Sequence, residues 1–339
     1  MIGERVRHAR SYHGWSGSEL ALRVGVPQPK ISQLEHDEYV SSDLVDQVAS
    51  VTGFSRWWFD LGPLPDLPRG TLKFRKRASS SARDDERIRA HVRQAVEVVS
   101  RFDNRPEVPP VRIVTAPREV ARDPEFLELW AGDVRELLGV GPIDPIPNLV
   151  RAVERAGVIV IGSAVEIEKH DGASFWPDYP VGRPIICVSR GVPGDRQRFN
   201  VAHELGHLTL HQFGSMSPSD AEREAHRFAG ALLVPRDFLM AELSSTSVTL
   251  TALARVKART GMSIRALIRR SLDLHLIDQR KRESLERQIS ARGWTRVEPV
   301  DVPYEEPRLL KRLLEVSGER GKVHTLTGLP LMASRDLLA

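Results

Sequence analysis

Residues 199–211 read FNVAHELGHLTLH, and their apolar residues recur at the spacing of an amphipathic helix. Leu205 and Leu208 belong to the stripe that such a helix would bury. His203 and His207 are four residues apart, so both imidazoles lie on one side of the helix about one turn apart. Two imidazole nitrogens at this spacing can each lie ~2.1 Å from a single zinc ion. The stretch therefore predicts a helix that carries two metal ligands.

A carboxylate stands between the two histidines. Glu204 directly follows His203 and could accept a proton from a water molecule at the metal. The order His-Glu-x-x-His is typical of zinc hydrolases, in which the glutamate acts as general base. We therefore predict His203 and His207 as metal ligands and Glu204 as the catalytic residue.

A catalytic zinc site also needs a third protein ligand and one open position. His211 is two turns from His203, roughly 12 Å along the axis, so one straight helix cannot bring both to one ion. A supporting role beside a ligand, or at the helix end, suits His211 better. In a second amphipathic helix at 220–235, Glu222 falls about 60° from the centre of the apolar face and Glu224 about 100°, nearer solvent. Glu222 is the predicted third ligand, although a carboxylate in a first helical turn also has a purely electrostatic explanation.

Both segments resemble the ImmA/IrrE family of metallopeptidases. The resemblance covers about residues 125–245, which include matching residues at 148–158 and 172–174. Its two motifs are RFNVAHELGHLTLH at 198–211 and EREAHRFAGALLVP at 222–235.

The resemblance implies a small zincin-like α+β domain. By analogy with the family, His203, His207 and Glu222 would hold zinc (Zn2+) and Glu204 would act as base. Family substrates are typically helix-turn-helix repressors that are cut to release transcription, so a repressor protein is the implied substrate.

The residues themselves agree with a sheet beside the metal-bearing helix. The pattern predicts a helix at 148–156 and buried strands at 158–161 and 185–189, with Asp195 as the cap of the metal-bearing helix. Cys187, the single cysteine, lies in an apolar run and is predicted to be a core residue rather than a nucleophile.

The first sixty residues predict short helices joined by tight turns. Ser16 and Glu19 fit a capping box, in which each side chain binds the backbone N–H of the other. The helix that follows would end at Gly25, which tolerates the left-handed conformation. A second helix is expected at 28–36, and two short helices around a glycine-containing turn make a helix-turn-helix.

This arrangement, over about residues 3–60, resembles the XRE family of helix-turn-helix repressor domains, with the motif SGSELALRVGVPQPKISQLE at 16–35. The resemblance implies double-stranded DNA as a partner and a structural ion pair between Arg10 and Glu35. It places the base-reading positions at Gln28, Lys30 and Gln33; glutamine can bind adenine, and lysine can reach guanine or phosphate.

Two features of this segment differ from those expected of a domain that binds DNA strongly. Pro29 replaces the usual polar residue, and residues 1–60 carry a net charge of −2. The helix-turn-helix could instead serve dimerisation or the docking of a partner protein.

Charge is distributed unevenly along the 339 residues, which hold 49 Lys and Arg against 45 Asp and Glu. Basic blocks at 66–93 and 252–296 carry net charges of +5 and +8, and they flank an acidic middle at 94–251. The blocks could be solvated helical faces or phosphate-facing surfaces. For the second block, a further DNA surface and a dock for an acidic partner both remain open.

Composition excludes several other classes of protein. A single cysteine excludes a disulfide framework, a cysteine-rich zinc ribbon and an iron–sulfur cluster held by this chain alone. The start of the chain has no apolar signal core, and no apolar run approaches the ~20 residues of a membrane span. We therefore expect a cytoplasmic protein that makes no use of a membrane.

We predict a multidomain chain: an all-α helix-turn-helix N-terminal domain, then an α+β zincin-like metallopeptidase domain and a helical C-terminal region. The predicted boundaries place the helix-turn-helix at 1–62 and a basic linker and helix at 63–110, with the helix itself at 84–102. The peptidase domain is expected at 111–246 and the basic helical region at 247–339. Within the last region, helices are predicted at 250–260, 263–277, 280–294 and 307–317.

The function predicted from these features is that of a zinc-dependent endopeptidase with its own DNA-binding domain, which cleaves a helix-turn-helix repressor to control gene expression. An alternative is a DNA-binding or antitoxin-like regulator whose peptidase fold serves as a sensor or dimerisation module, with the chain forming a homodimer.

Overall fold

The structure is a computed structural model that describes residues 1–67, 81–101, 108–117, 123–163, 172–177, 182–212, 217–244, 247–316, 324 and 327–330. The basic run at 73–77, predicted as linker, lies outside these residues. The described residues form three β-strands, which are β1 (Ile159–Ser163), β2 (Gly172–Phe175) and β3 (Ile185–Ser189). They also form fourteen α-helices and one 3₁₀ helix (Arg56–Asp60).

The helices follow one another along the chain as α1 (Ile2–Tyr12), α2 (Gly17–Val24), α3 (Gln28–Glu35), α4 (Ser42–Thr52), α5 (Ala82–Ser100), α6 (Pro124–Leu137), α7 (Leu149–Arg155), α8 (Gly194–Leu210), α9 (Pro218–Leu233), α10 (Arg236–Leu243), α11 (Leu250–Thr260), α12 (Ile264–Asp273), α13 (Gln279–Ala291) and α14 (Leu309–Val316). None of these described helices combines the length and the apolar character that crossing a membrane requires.

The capping box predicted at the start of α2 is confirmed. The Glu19 N–H donates to Ser16 Oγ over 3.2 Å, and the Ser16 N–H donates to the Glu19 carboxylate over 2.6 Å. Gly25 ends α2 with a φ of 79°, a left-handed conformation that costs glycine little. Helix α3 follows and buries Ile31 and Leu34. Local sequence chemistry therefore determines this pair of helices.

Helix α5 connects the N-terminal helices to the sheet. It packs against α1 and also contacts β1. Its Val92 belongs to an apolar cluster that begins in the N-terminal helices and continues to Ile161 and Ile185 of the sheet. The N-terminal helices, α5 and one face of the sheet thus share a core.

The strands form a mixed sheet in the order β1-β3-β2. Strand β1 is parallel to β3, with Ile159 opposite Ile185, and β2 is antiparallel to β3, with Phe175 opposite Ile185. Because strand side chains alternate, one face joins the N-terminal core and the other, through Val160 and Ile186, joins the core beneath α8 and α9. Cys187 is buried in the N-terminal core, as predicted.

Helix α8 carries the predicted metal site and packs closely against α9. A Cβ atom at Gly206 would lie 2.9 Å from the Phe228 ring, so glycine allows this close approach. The prediction that Asp195 caps α8 is wrong. Pro193 occupies the N-cap, and Asp195 lies in the first turn, where its carboxylate accepts from the buried Lys257 ammonium over 2.6 Å. A buried ammonium needs a counter-ion, and this lysine comes from a distant part of the sequence.

The C-terminal region wraps around the start of α8. Glu305 is buried, pairs with Arg198 of α8 and accepts the Val150 N–H over 2.8 Å. Glu154 of α7 accepts the Arg308 and Leu309 N–H groups and so satisfies the start of α14. These contacts hold residues 305–309 beside α7 and α8.

Candidate metal centre

The structure brings the three predicted ligands to one point between α8 and α9. His203 Nε2 lies 3.1 Å from His207 Nε2 and 3.3 Å from Glu222 Oε2. His207 Nε2 lies 3.3 Å from Glu222 Oε1. The ligand atoms of these three described residues lie close enough together to hold one metal ion.

The donor set and its spacing fit zinc. Two imidazoles and one carboxylate form a ligand set used by catalytic zinc. In a tetrahedron with bonds of ~2.05 Å, donor atoms lie about 3.3 Å from one another, close to the separations observed here. The side chains are 17, 7 and 27% exposed for His203, His207 and Glu222, so the centre is partly buried but accessible.

Glu222 is held as a carboxylate. Burial alone would favour the neutral acid, but hydrogen bonds and charge from His203 and His207 outweigh it and hold the pKa of this carboxyl well below its usual range. An ionised carboxylate is the form that binds a metal ion.

Glu204 is buried and lies beside the edge strand of the sheet. A Cβ atom on Gly172 of β2 would lie 3.0 Å from Glu204 Cγ and 3.1 Å from Glu204 Oε1. Glu204 lines the same cleft as His203 and Glu222. The predicted base therefore occupies a restricted position next to the candidate ligands, and the absence of a side chain at residue 172 makes room for it.

A second histidine–carboxylate pair lies behind the ligands. His207 Nδ1 is 2.9 Å from His211 Nδ1, and His211 Nε2 is 3.1 Å from Glu224 Oε2. A neutral imidazole has one N–H and one acceptor nitrogen, so these contacts select tautomers. When both imidazoles are neutral, this arrangement has His211 donate from Nε2 to Glu224 and accept at Nδ1 from His207, so the His207 Nε2 lone pair would be available to a metal ion.

The relative exposure predicted for the two carboxylates of α9 is wrong. The Glu224 side chain is 10% exposed and that of Glu222 is 27% exposed. The end of α8 covers Glu224, because His211 lies against it, whereas Glu222 faces the cleft. A helical wheel gives the angle of a residue from the apolar face of its own helix. It cannot predict burial by a polar side chain of another helix, as His211 buries Glu224.

The metal centre opens into a cleft of about 1170 Å³. Residues of α8 and α9 line the cleft, and residues of α12, α13 and 294–302 contribute a second part of its wall. Sequence reasoning missed this second wall, since its link to α8 through Lys257 joins residues far apart in the chain.

The predicted DNA-contacting residues lie far from the metal centre in sequence, on α3. Gln28, Lys30 and Gln33 are all exposed. Arg10 binds the Glu35 carboxylate through two hydrogen bonds, with Nε 2.6 Å from Oε1 and Nη2 2.9 Å from Oε2. The ion pair therefore connects α1 to the end of α3. Gln28, Lys30 and Gln33 take no part in it and face solvent.

Comparison with protein families supports the peptidase part of the chain. Residues 153–272 match the model of the peptidase M78 family, described as the IrrE N-terminal-like domain. The match takes in the three strands, α8, α9 and the helices that follow as far as α12. A comparison with curated proteins finds no match. The chain therefore contains a segment similar to the IrrE N-terminal-like peptidase domain.

Proposed function

We propose that this protein is a zinc-dependent endopeptidase that cleaves a helix-turn-helix transcriptional repressor and so controls gene expression. The observation that carries the proposal is the convergence of His203, His207 and Glu222, with donor atoms 3.1–3.3 Å apart, beside a cleft that Glu204 also lines. The family match over the same residues supports peptide hydrolysis as the reaction.

The residues have distinct roles in this proposal. His203, His207 and Glu222 would hold zinc, which when bound supplies a Lewis acid and makes water more acidic. Glu204 accepts the proton of the attacking water and delivers it to the departing amide nitrogen. The carbon–oxygen bond forms first, and the carbon–nitrogen bond then breaks as the nitrogen takes up the proton from Glu204, which yields a carboxylic acid and an amine.

The remaining contacts position these groups. His211 and Glu224 fix the orientation and tautomer of His207. Gly172 leaves space for the Glu204 side chain beside β2. Such precise placement matters because a shift of about 1 Å can reduce a rate by 10²-fold.

The test is cleavage of a repressor encoded next to this protein. Purified full chain with zinc should convert that repressor into two fragments, identified by mass spectrometry, and Glu204→Gln should not. A chain that binds zinc stoichiometrically and leaves every neighbouring repressor intact would contradict the proposal.

We propose that the N-terminal helices bind double-stranded DNA and bring the peptidase to its site of action. The exposed positions of Gln28, Lys30 and Gln33 on α3 support this role. Binding to the protein's own promoter should weaken as salt increases, because contacts with phosphate release counter-ions. Alanine at these three positions should abolish sequence preference. Absence of salt-dependent binding to the promoter, even at low salt, would contradict the proposal.

The second candidate is a DNA-binding or antitoxin-like regulator in which the peptidase fold acts as a sensor. The shared core between the N-terminal helices, α5 and the sheet favours it, because a change at the sheet could reach the DNA-binding helices. This alternative predicts that zinc changes the affinity for DNA in a Glu204→Gln chain. The endopeptidase alone predicts no such change.

A further inference from the structure

The basic C-terminal block forms part of the cleft at the metal centre. The amino-acid sequence leaves open whether this block contacts DNA or an acidic partner. Four of its arginines line the same cleft as the candidate ligands His203 and Glu222: Arg265, Arg269, Arg282 and Arg296. The block therefore contributes to the same cavity as the site of the proposed reaction.

The lining of the cleft has a positive balance. Among the described residues, eight cationic side chains and seven carboxylates line it, so it is positive by one charge. Two of those carboxylates, Glu204 and Glu222, belong to the metal centre. A bound divalent ion would raise the balance to three positive charges, and a cleft with low-dielectric walls concentrates such a field.

Several of these charges are already neutralised within the protein. Lys257 pairs with Asp195 and Glu298 over 2.6 and 2.7 Å. Arg269 lies 3.1 Å from Asp273 and shares that carboxylate with a second arginine. These pairs serve mainly to hold the wall together.

Arg265 and Arg296 are different. Both are exposed, and neither forms an ion pair within the part of the chain that the structure describes. Outside the metal centre, Asp301 is the lining carboxylate without an ion pair among the described residues. Glu298 accepts the Ile264 N–H over 2.8 Å, so the segment that carries Arg296 is tied to the first turn of α12, which carries Arg265. The two free guanidinium groups are thus held on the same wall.

We propose that this wall recognises an acidic segment of the peptide substrate, with Asp or Glu close to the bond that is cut. The inference rests on the proposed peptidase function and names its class of substrate. Arginine forms strong, charge-assisted hydrogen bonds with carboxylates. The cleft also presents Phe199, Trp294 and Val302, which offer apolar contacts for peptide side chains between the charged ones.

Binding can be measured without cleavage in the full-length, zinc-loaded Glu204→Gln chain. Three fluorescein-labelled peptides would share one apolar sequence and carry Glu, Gln or Lys at the same positions. Fluorescence anisotropy at low salt should show the Glu peptide binding about tenfold more tightly than the Gln peptide, and the Lys peptide most weakly. The preference for Glu should diminish as salt increases.

The double variant Arg265→Glu/Arg296→Glu should lose the preference for the Glu peptide and bind the Lys peptide better. Arg280→Glu/Arg287→Glu is the matched control, because these arginines are exposed on α13, do not line the cleft and undergo the same change in charge. The control should retain the preference, and both double variants should have the thermal midpoint of the parent chain. Equal binding of the three peptides, or equal loss in both double variants, would overturn the inference.

Two further outcomes are informative. A single-stranded oligonucleotide that binds more tightly than the Glu peptide, and loses binding in Arg265→Glu/Arg296→Glu, would replace the acidic peptide with a nucleic acid and overturn the proposal. Cleavage by the wild-type chain distinguishes a failure of the inferred charge preference from a failure of the proposed peptidase function. Hydrolysis without charge preference would overturn the inference alone, whereas selective binding of the Glu peptide without hydrolysis of any substrate would overturn the proposed function alone.

Discussion

Two polar clusters in the described part of this protein, one around Glu97 in the N-terminal core and the other at the candidate metal centre, differ in how their groups are matched. In the N-terminal core, Arg5 Nη2 donates to Glu97 Oε1 over 2.8 Å. Trp58 Nε1 and Gln94 Nε2 donate to Glu97 Oε2 over 2.9 and 3.1 Å. The Arg5 and Glu97 side chains are 2 and 8% exposed. Both carboxylate oxygens thus have donors from the protein itself, and the cluster is closed to solvent.

The metal centre has the opposite arrangement. His203, His207 and Glu222 all carry atoms that could donate an electron pair to a metal ion. These atoms converge on one point beside the cleft. The comparison shows how a site can be distinguished from a structural network. A network pairs each acceptor with a donor, whereas a binding centre gathers groups of one kind at an accessible position.

The largest effect on stability should come from opening the closed cluster. Glu97→Ala would remove the counter-ion of the buried Arg5 guanidinium, which would keep only its hydrogen bonds to backbone carbonyl oxygens such as that of Gly62. This loss should lower the free energy of unfolding by about 3–5 kcal/mol. Urea denaturation measures this loss, and zinc content should not change. Glu86→Ala, at an exposed position on the same helix, should change stability by less than about 0.5 kcal/mol. Equal losses in the two variants would contradict a structural role for the cluster.

The corresponding change at the metal centre should affect binding instead. Glu222→Ala removes a ligand and should weaken zinc by more than about 100-fold, beyond the range for residues that only support a ligand. Competition with a chelator measures the affinity. Arg223→Ala, an exposed neighbour on α9, serves as the control and should leave zinc affinity unchanged. Tight zinc binding by Glu222→Ala would remove this residue from the ligand set.

A smaller effect is expected behind the ligands. His211→Phe removes the group that orients His207 and should weaken zinc by about 10–100-fold. Glu224→Ala should fall in the same range and below Glu222→Ala. Glu224→Gln retains an acceptor oxygen for the His211 N–H and should restore most of the affinity. A larger loss in Glu224→Ala than in Glu222→Ala would exchange the roles of the two carboxylates.

The smallest effect concerns the space beside the base. Gly172→Ala places a methyl group about 3.0 Å from Glu204 Cγ, so the glutamate must move by a few tenths of an ångström. We expect the cleavage rate to fall by about tenfold with zinc affinity unchanged. Gly132→Ala is the control, because a Cβ atom there meets no atom within 4 Å. Unchanged cleavage in Gly172→Ala would show that Glu204 tolerates the displacement.

Short-range chemistry explains what the amino-acid sequence predicts well. The capping box of Ser16 and Glu19 and the left-handed Gly25 depend on neighbours within a few residues, and both are found. The spacing of His203 and His207 follows from helical geometry alone, and the structure gathers them with Glu222.

Long-range contacts explain what it does not predict. Asp195 meets Lys257, and Glu224 meets His211, so neither carboxylate has the environment that its own helix suggests. The same holds for the wall of the cleft, since Glu298 reaches both Lys257 and the start of α12. These contacts depend on how distant segments of the chain fold together. The hydrophobic periodicity of one segment therefore cannot predict them.

The roles of Glu204 and of the three candidate ligands can be separated by comparing the wild-type chain with Glu204→Gln in two measurements on the same preparations. Zinc content by mass spectrometry should be one ion per chain in both proteins, because Glu204 is not among the candidate ligands. Cleavage of the neighbouring repressor should occur with the wild-type chain and be lost in the variant. Retained cleavage by Glu204→Gln, or loss of zinc from it, would contradict the roles assigned to Glu204 and to the three ligands.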